Sequence, residues 1–153
     1  MKKKVLVTRK LLKENENKLK ELFDVNLNDN DEIYSSDKII ELSKGCDGIL
    51  CAVTDQFNKE LINKLSSSIK IIANFAVGYG NIDINAAKER SIVVTNTPEV
   101  LDDSTADVSI LLLLGASRKV LEARRAAELQ NWKWSADFLL GKQMSNKRLG
   151  ILG

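Results

Sequence analysis

The stretch of sequence that decides the fold is residues 74–114, which read NFAVGYGNIDINAAKERSIVVTNTPEVLDDSTADVSILLLL. In order, it contains a strand, a turn with Gly78 and Gly80, a short helix, a second strand and a long helix with a polar start. Because strand–helix–strand connections are right-handed crossovers between parallel strands, this stretch predicts a βαβ unit in a parallel sheet.

The same alternation of strand and helix extends towards the N-terminus. Short runs of β-branched residues recur roughly every 22 residues, and stretches with helical periodicity separate them. The predicted strands are residues 5–7, 25–27, 48–53, 69–73 and 92–94. The predicted helices are residues 10–23, 36–44, 58–65 and 83–89. This pattern predicts an α/β fold with a flavodoxin-like parallel sheet, in which ligands bind outside the carboxyl ends of the strands.

The pattern changes in the last third of the chain. Pro98, the only proline, interrupts the alternation. A helix much longer than the others is expected to follow, with Asp102 as its N-cap. Residues 130–146 show no period and contain Trp132 and Trp134. Large aromatic side chains in an irregular arm usually pack on another surface, which is either this subunit or a partner.

Composition narrows the possible functions. The 153 residues include 23 basic and 21 acidic side chains, and a formal charge of +2 gives no indication of a nucleic-acid partner. The longest apolar run, residues 110–114, is far shorter than the roughly 20 residues that a membrane-spanning helix needs, so no membrane partner is expected. The chain contains no histidine. Serine triads and imidazole acid–base catalysis by its own residues are therefore excluded.

The two cysteines point to a cytoplasmic protein. Cys46 and Cys51 lack the spacing of a metal site, and no metal site is predicted. Both are expected to be reduced thiols, with Cys51 filling the core from a strand. The N-terminus shows no signal-peptide cleavage site, which agrees with a cytoplasmic location.

The turn at residues 76–80 is the strongest candidate for a site. Its two glycines allow the backbone to turn sharply and present amide hydrogens that suit a small carboxylate or phosphate. The alternative is that the turn needs glycine only for its dihedral angles, while Asp83 caps the next helix. Residues 102–105 leave the same choice open between ligand contact and helix capping. Gly150 and Gly153 alone do not form a dinucleotide fingerprint.

A resemblance to a known family rests on residues 77–83 (VGYGNID), 94–98 (VTNTP), 105–107 (TAD) and Arg118. With this order and these gaps, they resemble the D-isomer-specific 2-hydroxyacid dehydrogenases, and within that family the glyoxylate and hydroxypyruvate reductases. The resemblance implies an oxidoreductase that transfers hydride between NAD or NADP and a small 2-keto or 2-hydroxy acid. The family's catalytic arginine, glutamate and histidine lie in the second half of its chain. None of them can be placed here, so we expect an N-terminal half that is inactive alone.

The family's substrate-binding loops can be carried over residue by residue. The backbone amides of Val77 and Gly78 match the loop that binds the substrate carboxylate, and Val53 matches a second substrate-side loop after the third strand. Gly80 departs from the family, which more often has aspartate or asparagine there. This departure would loosen the turn without removing its amides.

Cofactor and partner contacts are carried over in the same way. Thr105 matches a threonine near the nicotinamide half of the cofactor, and Gly153 matches the first glycine of the pyrophosphate turn. Trp132 and its arm match a region that crosses to the partner subunit, so a homodimer through the long helix and this arm is expected. The implied domains are a substrate domain (1–98), a long helix with a dimerisation arm (99–147) and the truncated first strand of a Rossmann domain (148–153).

A second hypothesis assigns the chain to a different functional class, a binding module instead of an enzyme. The chain could be a naturally short, dimerising module that binds a small carboxylate and has no catalytic activity. The length of 153 residues motivates this hypothesis. The dehydrogenase hypothesis is favoured because the sequence stops inside a strand pattern, one residue into a ligand turn.

Overall fold

A computed structural model of the chain describes residues 1–130 and 132–152. The chain divides into two compact units, Met1–Val100 and Leu101–Gly153, which are described separately below.

Unit 1 alternates five strands with four helices. The strands are β1 (Lys4–Val7), β2 (Asp24–Asn26), β3 (Gly48–Ala52), β4 (Ile71–Phe75) and β5 (Val93–Thr95). The helices are α1 (Lys13–Leu22), α2 (Ser36–Leu42), α3 (Lys59–Lys64) and α4 (Ile84–Glu89). All strand pairs are parallel and the sheet order is β2-β1-β3-β4-β5. The predicted α/β fold with a flavodoxin-like parallel sheet is confirmed.

One face of this sheet carries the core. Leu6, Ile49 and Ile72 alternate with outward residues along their strands, and each is at most 1% exposed. Helices α2, α3 and α4 bury apolar side chains in the same cluster. On the opposite face, Phe75 and Val93 are 58% and 57% exposed. A parallel sheet is normally covered on both faces, so much of the second face of this sheet is bare.

Some element boundaries in unit 1 differ from the predicted ones. Strand β4 covers Ile71–Phe75 instead of residues 69–73, and Val53 lies in a turn beyond β3. Helix α1 begins at Lys13, because Lys10 is still held in a loop by its amide, which donates to Asp31 Oδ1 at 2.9 Å. Side-chain hydrogen bonds with nearby loops therefore shift boundaries that apolar periodicity alone cannot locate.

The buried thiols agree with the sequence prediction. Cys51 lies on β3 and is 2% exposed, and Cys46 is fully buried. Burial raises the pKa of the Cys51 thiol to about 12, and it also raises the pKa of Cys46. Both thiols are therefore protonated near neutral pH and serve as core residues.

Unit 2 contains two helices where the sequence predicted one long helix. Helix α5 covers Asp102–Ser117 and helix α6 covers Val120–Leu129. Lys119 separates them with a left-handed backbone, at a φ of 54°. The carbonyl of Ser117, freed by this break, accepts a hydrogen bond from Lys142 N at 2.8 Å. The predicted N-cap at Asp102 is also wrong, because Leu101 is the N-cap and makes no side-chain cap bond. Asp102 is instead the first helical residue.

The arm after α6 has one ordered aromatic contact. The rings of Trp132 and Phe138 stack with centroids 5.7 Å apart, so Trp132 packs within its own arm, whereas Trp134 is 81% exposed. Residues 148–152 form no strand. A strand needs a neighbour for its backbone hydrogen bonds, and none pairs with these described residues. The division into domains at 98 and 147 stays a prediction.

Candidate functional site

The β4 loop (residues 76–83) is anchored through its carbonyl groups. Four successive carbonyls accept hydrogen bonds. Three accept from residues outside the loop: Ala76 O from Thr97 N at 2.9 Å, Val77 O from Asn96 Nδ2 at 2.7 Å and Gly78 O from Asn74 Nδ2 at 2.9 Å. Tyr79 O accepts from Ile82 N, within the loop, at 3.0 Å. Each of these carbonyls belongs to the peptide group that also carries the amide of the next residue. Fixing the carbonyl therefore fixes the direction of that amide.

The amides of this loop consequently have fixed directions. In a trans peptide group the N–H lies opposite the carbonyl, so the carbonyls bonded to Thr97, Asn96 and Asn74 turn the amides of residues 77–79 away from those partners, and the carbonyl bonded to Ile82 N fixes the amide of Gly80. Within the described part of the chain, none of these four amides donates to an internal acceptor. Free backbone amides grouped in one short loop suit an anion.

The two glycines of the loop leave room for a ligand. A Cβ atom added at Gly78 or Gly80 would meet no atom within 4 Å. Neither residue has a positive φ. The alternative that the turn needs glycine for its dihedral angles is therefore wrong, whereas Asp83 does cap α4 by accepting from Ala86 N at 2.9 Å.

The β3 loop (residues 53–58) lies beside the β4 loop because β3 and β4 end together, with Ala52 paired to Phe75. Its anchor is Asp55, which is 4% exposed. The Asp55 carboxylate accepts from Thr8 Oγ1 at 2.6 Å and from Ala52 N at 2.9 Å. Val53 is 58% exposed, and within the described residues its amide has no internal acceptor.

Two buried asparagines join the two loops. Asn81 Nδ2 donates to Ala52 O at 3.2 Å and to Asp55 O at 2.9 Å, both in or next to the β3 loop. Asn81 Oδ1 accepts from Asn74 Nδ2 at 3.0 Å, and Asn74 also holds Gly78. The peptide groups that carry the amides of Val53 and Tyr79 are therefore held by this one pair of side chains. Sequence reasoning missed this pair, although an asparagine at a core-facing position of β4 was an available signal.

The predicted site residues fall into two groups. Val53, Val77 and Gly78 meet at the carboxyl edge of the sheet in unit 1, where strand order places ligands. Thr105 lies in α5 of unit 2 with an exposed side chain. Gly153 lies outside the described residues. Substrate and cofactor roles for these residues stay predictions.

Arg9 is a cation at this edge. Its guanidinium donates to both carboxylate oxygens of Asp31, at 2.8 and 2.9 Å, and to Thr54 Oγ1 at 2.7 Å. The hydrogen bond from Arg9 holds the pKa of Asp31 well below its ordinary value, and the bond to Asp31 raises the pKa of Arg9. The pair is therefore ionised over the whole neutral range.

The free amides at this edge suit an anion, but no imidazole is available for proton transfer near neutral pH. The chain has no histidine. Among residues 1–130 and 132–152, no cluster of three or more histidine, cysteine or acidic side chains is placed to hold a metal ion. The described residues also contain no helix long and apolar enough to cross a membrane.

Comparison with known proteins assigns the family. A profile of the D-isomer specific 2-hydroxyacid dehydrogenase catalytic domain matches residues 5–146. The chain therefore belongs to the D-isomer specific 2-hydroxyacid dehydrogenase family. A glyoxylate reductase of Korarchaeum cryptofilum is 38% identical over the whole chain, which covers 46% of that protein.

Solved structures agree with this assignment. A protein from Polaromonas sp. JS6 66, described as an NAD-binding D-isomer specific 2-hydroxyacid dehydrogenase, superposes with a TM-score of 0.87 and 32% identity over 97% of this chain and 47% of its own. A glyoxylate/hydroxypyruvate reductase of Sinorhizobium meliloti, in complex with NADP and malonate, superposes with a TM-score of 0.71 and 28% identity over 86% of this chain and 40% of its own. The chain thus spans about half the length of the relatives it matches.

Proposed function

We propose that unit 1 binds the carboxylate of a small 2-keto or 2-hydroxy acid, such as glyoxylate or hydroxypyruvate, as the substrate half of an NAD- or NADP-dependent oxidoreductase. The observation that carries this proposal is the group of four free amides at residues 77–80, whose directions the anchored carbonyls fix. In this arrangement the amides of Val77 and Gly78 hold the carboxylate and Val53 borders the substrate on its other side. Membership of the dehydrogenase family supports the same substrate class.

The residues of this chain bind and orient rather than transfer protons. A bound nicotinamide cofactor would supply the hydride. Thr105 has an exposed side chain that fits one polar contact with such a group, whereas the described residues form no glycine turn for its pyrophosphate. Because the chain has no histidine, it lacks the group to which the family resemblance assigns proton transfer, so this chain alone is expected to be inactive.

Changing Gly78 to valine is expected to abolish carboxylate binding and leave the fold intact. The new side chain occupies the open space beside the free amides, and no atom within 4 Å of the new Cβ has to move. The measurement is a titration of the ¹⁵N-labelled chain with oxalate, a stable mimic of the substrate carboxylate. The wild-type amide signals of residues 53 and 77–80 should shift and saturate.

Gly150→Val is the matched control, because a Cβ there also meets nothing within 4 Å. It should bind oxalate like the wild type. The absence of saturable shifts at residues 77–80 in the wild type, or equal affinity of Gly78→Val and the wild type, would contradict the proposed site.

The partner proposed for unit 2 is a second copy of the chain. Within residues 101–130 and 132–152, no side chain of unit 2 is buried. Helices α5 and α6 nevertheless carry many apolar residues, and Leu112 and Leu121 line a largely apolar cavity of about 700 Å³ where the two helices meet. A unit without a core of its own gains one when a symmetric partner covers it.

The double change of Leu112 and Leu121 to glutamate is expected to convert a dimer into a monomer. Both leucines are about two-thirds exposed (66% and 67%), so the fold of a single chain does not depend on burying them. Two charges per chain in an apolar interface stay unpaired and oppose association. Sedimentation velocity measures the change, and Leu12→Glu in unit 1, at a leucine 76% exposed, is the control. A monomeric wild type, or a control that dissociates equally, would show the proposal to be wrong.

The second candidate function is a non-catalytic, dimeric carboxylate-binding module. The free amides of unit 1 and the lack of buried side chains among the described residues of unit 2 support this module and the dehydrogenase equally. The intact mass of the protein in its own cell separates the two candidates. A mass near 17.0 kDa favours the module, and a mass near twice that value favours the dehydrogenase.

A further inference from the structure

We infer that Arg9 is a positioning residue for the proposed substrate site, which ties Thr54 to the loop after β2 and thereby holds the Val53–Thr54 segment of the β3 loop beside that site. This inference rests on the proposed carboxylate site. It adds a residue outside both substrate loops, at the carboxyl end of β1. Its starting observation is that one guanidinium joins two loops that have no other side-chain hydrogen bond between them in the described chain.

The fixed end of this connection is Asp31. Its backbone is left-handed, with a φ of 52°, and its carboxylate also accepts from the amide of Lys10 at 2.9 Å. The loop that carries it is closed by Asn28, which is 3% exposed. Asn28 Nδ2 donates to Thr8 O and Glu32 O, each at 2.8 Å. Asp31 is therefore a rigid support, and its two oxygens fix the plane of the Arg9 guanidinium.

The other end of this connection is the β3 loop. Asp55 anchors this loop from the core, and the carbonyl of Ala52 is fixed by Asn81 and by the amide of Asp55 at 3.0 Å. Beyond Ala52, both Val53 and Thr54 are exposed. Within the described residues, the Arg9–Thr54 bond of 2.7 Å is the hydrogen bond that holds the exposed part of the loop. The Ala52 carbonyl thus fixes the Val53 amide, and Arg9 restrains the segment on the Thr54 side of Val53.

The same geometry argues against Arg9 as a direct ligand of the substrate. Three of its five N–H groups are already committed, two to Asp31 and one to Thr54. Its positive charge is neutralised by a carboxylate in contact with it. A cation in this state holds a loop in place more effectively than it attracts a second anion.

The test is a double-mutant cycle with Arg9→Met and Thr54→Val, read by the same oxalate titration of the full chain. Thr54→Val removes the hydroxyl but keeps the volume of the side chain and the Arg9–Asp31 pair. Each single change is expected to weaken oxalate binding about threefold to tenfold, the usual range for one hydrogen bond. The double variant is expected to be no weaker than either single variant, because both changes break one connection. The shift of the Val53 signal on binding should be lost first.

Two outcomes would overturn the inference. If Arg9→Met weakens binding and Thr54→Val does not, Arg9 acts through its charge. If both variants lower the melting temperature but bind oxalate like the wild type, the connection serves stability alone. Arg9→Lys should behave like Arg9→Met, because a single ammonium group cannot donate hydrogen bonds to both Asp31 oxygens and to Thr54 in this geometry. A wild type that shows no saturable shift at residues 77–80 instead refutes the carboxylate site itself, so the two failures are distinguishable.

Discussion

Replacing Phe57 with alanine is expected to lower the free energy of unfolding by about 3–5 kcal/mol, the usual cost of removing a buried phenylalanine ring. Phe57 is fully buried and packs in the core cluster with Leu61 and Ile62. Its backbone also joins the β3 loop to the β4 loop, because its amide donates to Asn81 O at 2.8 Å and its carbonyl accepts from Asp83 N at 2.9 Å. The cavity left by the ring therefore lies directly beneath the proposed site.

Urea denaturation of the purified chain measures this loss. Phe75→Ala is the matched control, since it removes the same ring from a residue that is 58% exposed on the bare face of the sheet. The control is expected to cost less than about 1 kcal/mol, because exposed positions contribute little. Because small domains are stable by only about 5–15 kcal/mol, the Phe57 variant should be partly unfolded in mild urea. Equal losses at the two positions would contradict the assignment of the core.

Replacing Asn74 with alanine is expected to cost about 2–3 kcal/mol of stability, because buried hydrogen-bond partners lose their contacts. Asn74 is 2% exposed and donates to Gly78 O at 2.9 Å and to Asn81 Oδ1 at 3.0 Å. Without Asn74, the peptide between Gly78 and Tyr79 is free to rotate. Oxalate binding should weaken together with stability.

Asn96→Ala is the control for this change. Asn96 is only half-buried and fixes one carbonyl, Val77 O, at 2.7 Å. Its loss is expected to cost about 0.5–1.5 kcal/mol, as for a single ordinary hydrogen bond. Urea denaturation and the oxalate titration are run on both variants. An Asn74→Ala protein that binds oxalate like the wild type would show that the anchored carbonyl does not orient the amides.

The sheet could be predicted from the sequence because the features that define its strands and helices lie within short segments of the chain. Runs such as residues 48–52 are apolar, and three of the helices between strands carry their own caps at Ser35, Asn58 and Asp83. The strand order then follows from the handedness of the crossovers and from burial. Because ligands bind at the carboxyl ends of such strands, the sequence pattern alone is enough to place Val53 and Gly78 at one edge of the sheet.

The network beneath the site could not be predicted, because it depends on register and side-chain direction. The contact between Asn81 and Ala52 exists only because Ala52 pairs with Phe75 at the end of β3. Similarly, nothing local marks Lys119 as a helix break. Its left-handed backbone depends on a partner for the freed carbonyl of Ser117, which Lys142 supplies from a distant part of the sequence. Contacts between residues far apart in sequence are absent from patterns of hydrophobicity and propensity.

The anchored carbonyls of the β4 loop also determine which sign of charge the site accepts. Residues 76–82 contain no charged side chain, so the loop itself presents peptide dipoles whose direction was fixed when the chain folded. To receive a cation, the loop would have to turn its carbonyls outward and break four hydrogen bonds. An anion requires no such rearrangement, since the entropy of ordering the loop is already lost on folding. The loop thus discriminates between charges by preorganisation alone.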